Sequence, residues 1–192
     1  AKGSRIEAAV GDRKPLAEST GGNAMDLTGR RLLVTGGAGF VGSALASRLV
    51  EANEVVVADD LSSGDREAVP EAATFVDVDL TDPAAVADVV TADLDGVFHL
   101  AAASKAVDDD RPREQFEANT AITYNVLERM DAVGVDRIAF TSSSTVYGEA
   151  PRPTPEDHGP LEPISPYGAA KLAEEALCST YAHTHGFTVW TF

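Results

Sequence analysis

The 192-residue sequence predicts an α/β fold: a doubly wound parallel sheet with helices on both faces. Three observations lead there: six short apolar runs recur along the chain, helical patterns lie between them, and a glycine-rich turn follows the first run at once. The runs are "RRLLVTG", "EVVVADD", "ATFVDVD", "GVFHLAA", "RIAFTSS" and "FTVWTF". Continuous apolar character over so few residues suits strands buried on both sides. Alternation of strand and helix at these lengths implies βαβ units, whose ligand crevice lies at the carboxyl ends of the strands.

Taken in order, residues 1–24 show no sustained period and are rich in charge, Gly and Ser. They read as a flexible leader, with Met25 a natural start and 25–192 a single domain; an amphipathic arm docking on a partner is the alternative. After the first strand, residues 42 to 52 place Ala44, Leu45 and Leu49 on one side of a helix. Residues 82 to 92 open with Asp82 and Pro83, a cap and first-turn pair. Residues 113 to 131 space Phe116, Thr120, Thr123, Leu127 and Met130 by fours and threes, which predicts that they form the buried stripe. The last helix is announced by "SPYGAAKLAEEAL", with Ser165 as N-cap and Pro166 as first helical residue. Tyr167 and Lys171, four apart, share one face of it.

The single cysteine, Cys178, excludes an internal disulfide framework and fits a reducing, cytoplasmic setting as a packing residue. No apolar run approaches the length of a membrane span. Acidic residues number 31 against 15 basic ones, a net charge of -16. Such a surface repels polyphosphate backbones, so nucleic acid is not an expected partner. The balance fits an ordinary acidic protein or one adapted to high salt, where screening removes the self-repulsion. No metal site is expected: the "DDD" run at 108–110 lacks His and the calcium-loop spacing, His99 sits on an apolar strand as a core histidine does, and His158, His183 and His185 have no ligand pattern around them.

"LLVTGGAGFVGSAL" places Gly36, Gly39 and Gly42 in the turn from the first strand into the first helix. In such a turn one glycine makes the bend, one lets backbone approach a pyrophosphate, and one lets the helix pack on the strand. The helix N-terminus offers free N–H groups to phosphate. No Gly-Lys-Ser/Thr follows, which excludes a P-loop. Phe40 and Val41, between the last two glycines, are counted with the cofactor positions. The second strand ends in Asp59, twenty residues after Gly39, and an acid there accepts from ribose hydroxyls and repels a 2′-phosphate. The expected cofactor is NAD. Asp60 reads as a solvated acidic turn. Asp79 and Leu80 end the third strand, either bordering an adenine or simply closing the strand.

"TGGAGFVG", "HLAAAS", "FTSSSTVYG" and "YGAAK", in this order and spacing, resemble the extended short-chain dehydrogenase/reductase family, and within it the NAD-dependent epimerase/dehydratase branch, over residues 30 to 192. The resemblance implies a Rossmann fold followed by a smaller domain that binds a nucleotide sugar. It implies an NAD-dependent epimerase of the UDP-glucose 4-epimerase type, oxidising a sugar hydroxyl transiently. By position, Tyr167 and Lys171 match the family's Y-x-x-x-K pair and Ser143 its hydroxyl-orienting Ser/Thr. Gly36, Gly39, Gly42, Asp59, Asp79 and Leu80 match cofactor contacts. Ala101 and Ala102 match the strand end that passes the cofactor, and Asn119 the asparagine opening the helix beside the site. Tyr167 and Lys171 are also counted among the cofactor contacts. Lys105 resembles a cofactor-contacting lysine displaced by one residue. Homodimerisation through the helix holding Tyr167 and the helix after Asn119 is implied as well, and the small face of Ala169, Ala170 and Ala173 is compatible with it. Sugar 4,6-dehydration is disfavoured, since Ser143, Ser144 and Thr145 stand where that branch carries Thr-Asp-Glu. Family members continue well past "GFTVWTF", so the substrate-selecting domain is expected to be missing from this chain.

The physics of the Tyr–Lys pair agrees. A tyrosine with a reference pKa of about 10 needs roughly 4 kcal/mol to ionise near neutrality. One cation supplies about 4 kcal/mol at 4 Å and an effective dielectric of 20, and about 2.5 at 6–7 Å. Lys171 alone is expected to fall short, with the positive nicotinamide ring making up the difference. Two other readings compete: an NAD-sensing or scaffold module without turnover, and a non-sugar reductase, which Asp59 opposes because such enzymes favour NADP.

Overall fold

A computed structural model of the chain describes residues 27–103 and 111–192; the proposed leader, Lys105 and the 108–110 acidic run lie outside the described residues. All six apolar runs form strands: β1 (Arg31–Thr35), β2 (Glu54–Asp59), β3 (Thr74–Asp77), β4 (Gly96–His99), β5 (Arg137–Phe140) and β6 (Thr188–Thr191). They make one parallel sheet in the order β3-β2-β1-β4-β5-β6. The strand order reverses between β1 and β4, and a doubly wound sheet opens its crevice at that point. This is the expected Rossmann arrangement.

Among the described residues four α-helices complete it: α1 (Phe40–Leu49), α2 (Pro83–Val89), α3 (Pro112–Val133) and α4 (Pro166–Thr184). The period of β1 divides the core between the two faces of the sheet. Leu32 and Val34 join Val55 and Val57 beneath Ala46 and Leu49 of α1. Leu33 joins Val56, Ala58, Ile138 and Phe140 on the other face, against Val86 of α2, Leu127 and Met130 of α3 and Cys178 of α4. On the α1 face, Phe98, Ala139 and Trp190 line an apolar cavity of about 190 Å³.

The caps fall where their chemistry requires. The Asp82 carboxylate accepts from Ala84 N–H, and the Ser165 hydroxyl oxygen from Gly168 N–H, with Pro following each cap. Gly134, at φ 79°, ends α3 in the left-handed conformation. Boundaries differ from expectation at three places. α1 begins at Phe40 with Gly39 as its cap, so the glycine turn feeds directly into the helix; α2 stops at Val89; α3 runs from Pro112 to Val133. The buried stripe of α3 is Asn119, Ile122, Thr123, Val126, Leu127 and Met130. Phe116 is instead 37% exposed, and Thr120 is only half-buried. A stripe built on apolar spacing put Phe116 inside, whereas the helix turns a hydrogen-bonded asparagine inward.

Candidate active site

β1 delivers the chain into a bend where Gly36 sits at φ 67° and donates its N–H to Ala58 O at 2.8 Å. A Cβ on Gly36 would lie 2.7 Å from Ala101 N, and one on Gly42 2.2 Å from Gly36 O. Neither position tolerates a side chain, so the ends of β1 and β4 touch and α1 seats directly on the turn. Beside this turn a cleft of about 500 Å³ opens at the carboxyl ends of the strands. Gly36, Gly39, Phe40, Val41, Gly42, Asp59, Asp79, Leu80, Ala101, Ala102 and Tyr167 line it. Ser143, Lys171 and Asn119 do not appear in that lining.

Asp59, 9% exposed, spends its carboxylate on the backbone around it. Oδ2 accepts from Ala38 N–H at 3.0 Å and Oδ1 from Leu61 N–H at 2.9 Å, with Leu61 itself at φ 56°. The acid thus braces the glycine turn as well as facing the cleft. Asp60 is exposed, accepts from Ser62 N–H, and also lines the cleft, together with Ser62 and Ser63. The serines were not foreseen; their signal is their place in "DDLSSG", directly after the acidic strand end. Thr141, at the end of β5, is a further lining residue the sequence reading missed. Asp79 Oδ1 accepts from the Thr81 N–H and hydroxyl, closing the turn after β3.

Asn119 lies seven residues into α3 and does not open that helix. It is buried, its Oδ1 accepting from Ala103 N–H at 2.8 Å and its Nδ2 donating to Gln115 O at 3.0 Å. Its amide is engaged with the chain, so it holds the loop after β4 and does not face the cleft.

Ser143, Tyr167 and Lys171, the three residues expected to be catalytic, lie just after β5 and on α4. Ser143 caps a 3-10 turn (Ser144–Tyr147) that packs against α4, and its Oγ accepts from Thr145 N–H and from the Thr145 hydroxyl. Tyr167, on the first turn of α4, is half-buried in the cleft wall. Burial, and secondly the negative charge of Glu174, hold its phenol above the ordinary tyrosine range. Lys171 is 2% exposed. Its ammonium donates to Glu174 Oε2 and to Thr141 O, each at 3.2 Å, and lies 4.8 Å from the Phe140 ring centroid. In this geometry the lysine's charge is paired with Glu174, a carboxylate whose own charge opposes ionisation of the tyrosine.

Glu174 belongs to a continuous buried chain of hydrogen bonds. Thr123 Oγ1 donates to Glu174 Oε2 at 2.7 Å, His99 Nε2 lies 3.0 Å from Thr123 Oγ1, and His99 Nδ1 lies 2.8 Å from Thr35 Oγ1. Thr35 Oγ1 accepts from the N–H groups of Leu100 and Ala101, both at 3.2 Å. The donors assign one direction: Thr123 donates to the carboxylate, so His99 carries its proton on Nε2 and accepts at Nδ1 from the Thr35 hydroxyl. Burial, aided by the Lys171 charge, drives the His99 pKa down to about 3, which keeps the ring neutral. His99 is thus the satisfied core histidine that its apolar strand suggested. Cys178, also buried, has its thiol pushed up to about 12 by burial first.

The arrangement fits a dinucleotide. A turn with no room for side chains leads into a ten-residue helix whose first N–H groups lack intrahelical partners, and an acid stands at the end of the neighbouring strand. Among the described residues no group of three or more His, Cys, Asp or Glu is placed to hold a metal ion, and no helix is long and apolar enough to cross a membrane.

The chain is similar to proteins of known activity. The chain is 41% identical over 160 residues to the UDP-glucose 4-epimerase of Streptomyces lividans, an alignment covering 81% of this chain and 49% of that one. It is 36% identical over 159 residues to the UDP-glucose 4-epimerase of Corynebacterium glutamicum, covering 81% and 48%. Among solved structures, a UDP-galactose 4-epimerase superposes with a TM-score of 0.77 at 46% identity, covering 84% of this chain and 54% of that one. The UDP-glucose 4-epimerase of Thermus thermophilus in complex with NAD gives 0.76 at 37%, covering 84% and 53%. The chain spans about half the length of the curated relatives it matches. Since its residues 32–192 also match the family as a whole, the chain belongs to the NAD dependent epimerase/dehydratase family.

Proposed function

We propose that this chain is the cofactor-binding and catalytic half of an NAD-dependent nucleotide-sugar epimerase of the UDP-glucose 4-epimerase type. The observation that carries the proposal is the cleft itself, where the glycine turn, Asp59 and Tyr167 face one space. NAD, when bound, supplies a hydride acceptor for the sugar carbon and a donor for its return. The start of α1, with Phe40, Val41 and Gly42 along the turn, would hold the pyrophosphate through backbone N–H groups, while Gly36 and Gly39, whose own N–H groups bond Ala58 O and Gly36 O, let the backbone approach it. Asp59 accepts from the adenosine ribose, and Asp79 and Leu80 border the base. Ala101 and Ala102 line the passage toward Tyr167, with Asn119 fixing the loop beyond them. Tyr167 accepts the proton of the sugar hydroxyl, Ser143 orients that hydroxyl, and Lys171 supports the phenolate and the nicotinamide ribose.

A second copy of the chain is the proposed partner, meeting α3 and α4. Phe116 and Tyr124 on α3, 37% and 45% exposed, support such a surface. Ala170 does not contribute to it, because it is fully buried in the core.

One observation favours a second reading, an NAD-binding module without turnover: the charge of Lys171 is already taken by Glu174. A single pair of measurements separates the two. NAD is titrated calorimetrically into the protein, with NADP as comparison, and reduced-nicotinamide absorbance is followed in the full-length polypeptide on adding UDP-glucose. The epimerase reading expects NAD to bind in preference to NADP, and reduction that falls by about a hundredfold or more in Tyr167→Phe while NAD affinity holds. Binding without any reduction establishes the second reading; no binding of NAD refutes both.

A further inference from the structure

The catalytic proposal gives the buried carboxylate of Glu174 no task. Glu174 is 0% exposed, on the inner face of α4, one turn beyond Lys171. Its Oε2 takes two donors, the Lys171 ammonium and the Thr123 hydroxyl, whereas Oε1 is buried with no hydrogen-bond partner among the described residues. A packing role does not need a carboxylate here. Pairs of this kind add little stability over an apolar replacement, because desolvating two charges offsets most of their attraction. The residue is better understood by what it does to its neighbour.

That neighbour stands one carbonyl behind the cleft. Lys171 bonds to Thr141 O, and Thr141 lines the cleft whereas Lys171 does not. Tyr167 lies one turn before Lys171 on the same helix and does reach the cleft wall. Resting on the active-site reading above, we propose that Glu174 is a positioning residue for Lys171: its carboxylate holds the ammonium in an ion pair behind the Thr141 wall, and Lys171 serves Tyr167 only when drawn off that carboxylate. Thr123 fixes the carboxylate from α3, and His99 and Thr35 fix Thr123 in turn, out to the Leu100 and Ala101 backbone at the cleft. The anchor is therefore tied to the strand end that lines the cofactor space.

The ionisable groups around this anchor are few. On α4 they are Tyr167, Lys171, Glu175 and Cys178; on β4, beyond Thr123 of α3, there is His99. His99 stays neutral down to about pH 3, so it does not change charge in the alkaline range where Tyr167 titrates, and the Cys178 thiol, pushed up to about 12, is common to every protein compared. Glu175 bonds the Ser142 hydroxyl and points to a different partner.

Ultraviolet titration of Tyr167 tests the proposal without cofactor or sugar, so its outcome is independent of whether the chain turns over. Each titration is taken as a difference against the same protein carrying Tyr167→Phe, which removes the signal of the other tyrosines. Glu174→Gln is expected to lower the Tyr167 midpoint by about one pH unit or more, since a freed cation within reach of a phenol shifts it by that order. Adding Lys171→Met to Glu174→Gln is expected to reverse most of that fall. A fall that survives Lys171→Met comes only from loss of the carboxylate's own charge and overturns the proposal, as does an unchanged midpoint in folded Glu174→Gln. If circular dichroism shows Glu174→Gln unfolded, Glu174→Asp decides the matter. It keeps the charge but draws the carboxylate back by one methylene, out of joint reach of Lys171 and Thr123. A lowered midpoint supports the anchor, and an unmoved one overturns it.

Discussion

The two halves of the cleft are built on opposite principles. The β1–α1–β2 side is built on backbone: glycines that admit no Cβ, N–H groups at the start of α1, and one acid braced by the N–H groups of Ala38 and Leu61. The packing beneath is an apolar cluster that includes Leu32, Val34, Val55 and Val57. On the β4–β5–α4 side, the chemistry rests on side chains held by partners far away in sequence, with His99, Thr123, Lys171 and Glu174 all buried together. The first half is rigid because nothing larger than glycine fits. The second is specified by a hydrogen-bond chain in which each member has one direction to point.

This contrast can be broken from either side. The largest effect is expected from Gly42→Ala, whose Cβ would meet Gly36 O at 2.2 Å. Overpacking of this severity belongs at or above the top of the about 1–3 kcal/mol range, so the melting temperature should fall sharply and NAD binding should be lost with it. An unchanged melting temperature would mean that the turn yields, and that the backbone half is not rigid.

Asp59→Ala should do less. It strips acceptors from two backbone N–H groups, at a cost of about 1–3 kcal/mol, and it should also relax discrimination against NADP. Chemical denaturation reads the first effect and cofactor titration the second. Loss of stability with preference unchanged would leave Asp59 as a brace alone.

The smallest effect at neutral pH is expected from His99→Gln, whose amide can donate to Thr123 and accept from Thr35 as the imidazole does. The difference appears in acid. His99 has a folded-state pKa near 3 against an ordinary 6.5, so the unfolded chain binds the proton more readily between those values. Stability from the neutral ring is complete above about pH 6.5 and declines as the pH falls toward 3, by at most about 1.4 kcal/mol per pH unit. The variant should lack that component. Glu174, whose carboxyl is raised by burial, tilts stability the other way above its ordinary value, but it is common to both proteins and largely cancels in the comparison.

The same contrast explains what could be read from sequence. The strands, the caps at Asp82 and Ser165, the glycine turn and Asp59 follow from local rules, in which a residue's type and its distance along the chain carry the physics. The polar half does not. Thr123 and Glu174 are 51 positions apart, and Lys171 and Thr141 are 30 apart. No spacing rule joins them, so the sequence paired Lys171 with Tyr167 alone and gave no sign of its bond to Glu174. The stripe of α3 holds at Thr123, Leu127 and Met130 but not at its first residues, for a related reason: apolar periodicity favours Phe116, but the structure buries Asn119, whose polarity is satisfied by a loop 16 residues away.

Cys178 has a practical consequence. The chain's single sulfhydryl is wholly enclosed and protonated at any pH the fold is apt to meet, which makes it inert toward maleimides and iodoacetamides. A cysteine introduced at Phe40, 95% exposed at the cleft rim, would then be the single reactive position. A dye attached there would report on ligand arrival from a protein that needs no background thiol removed.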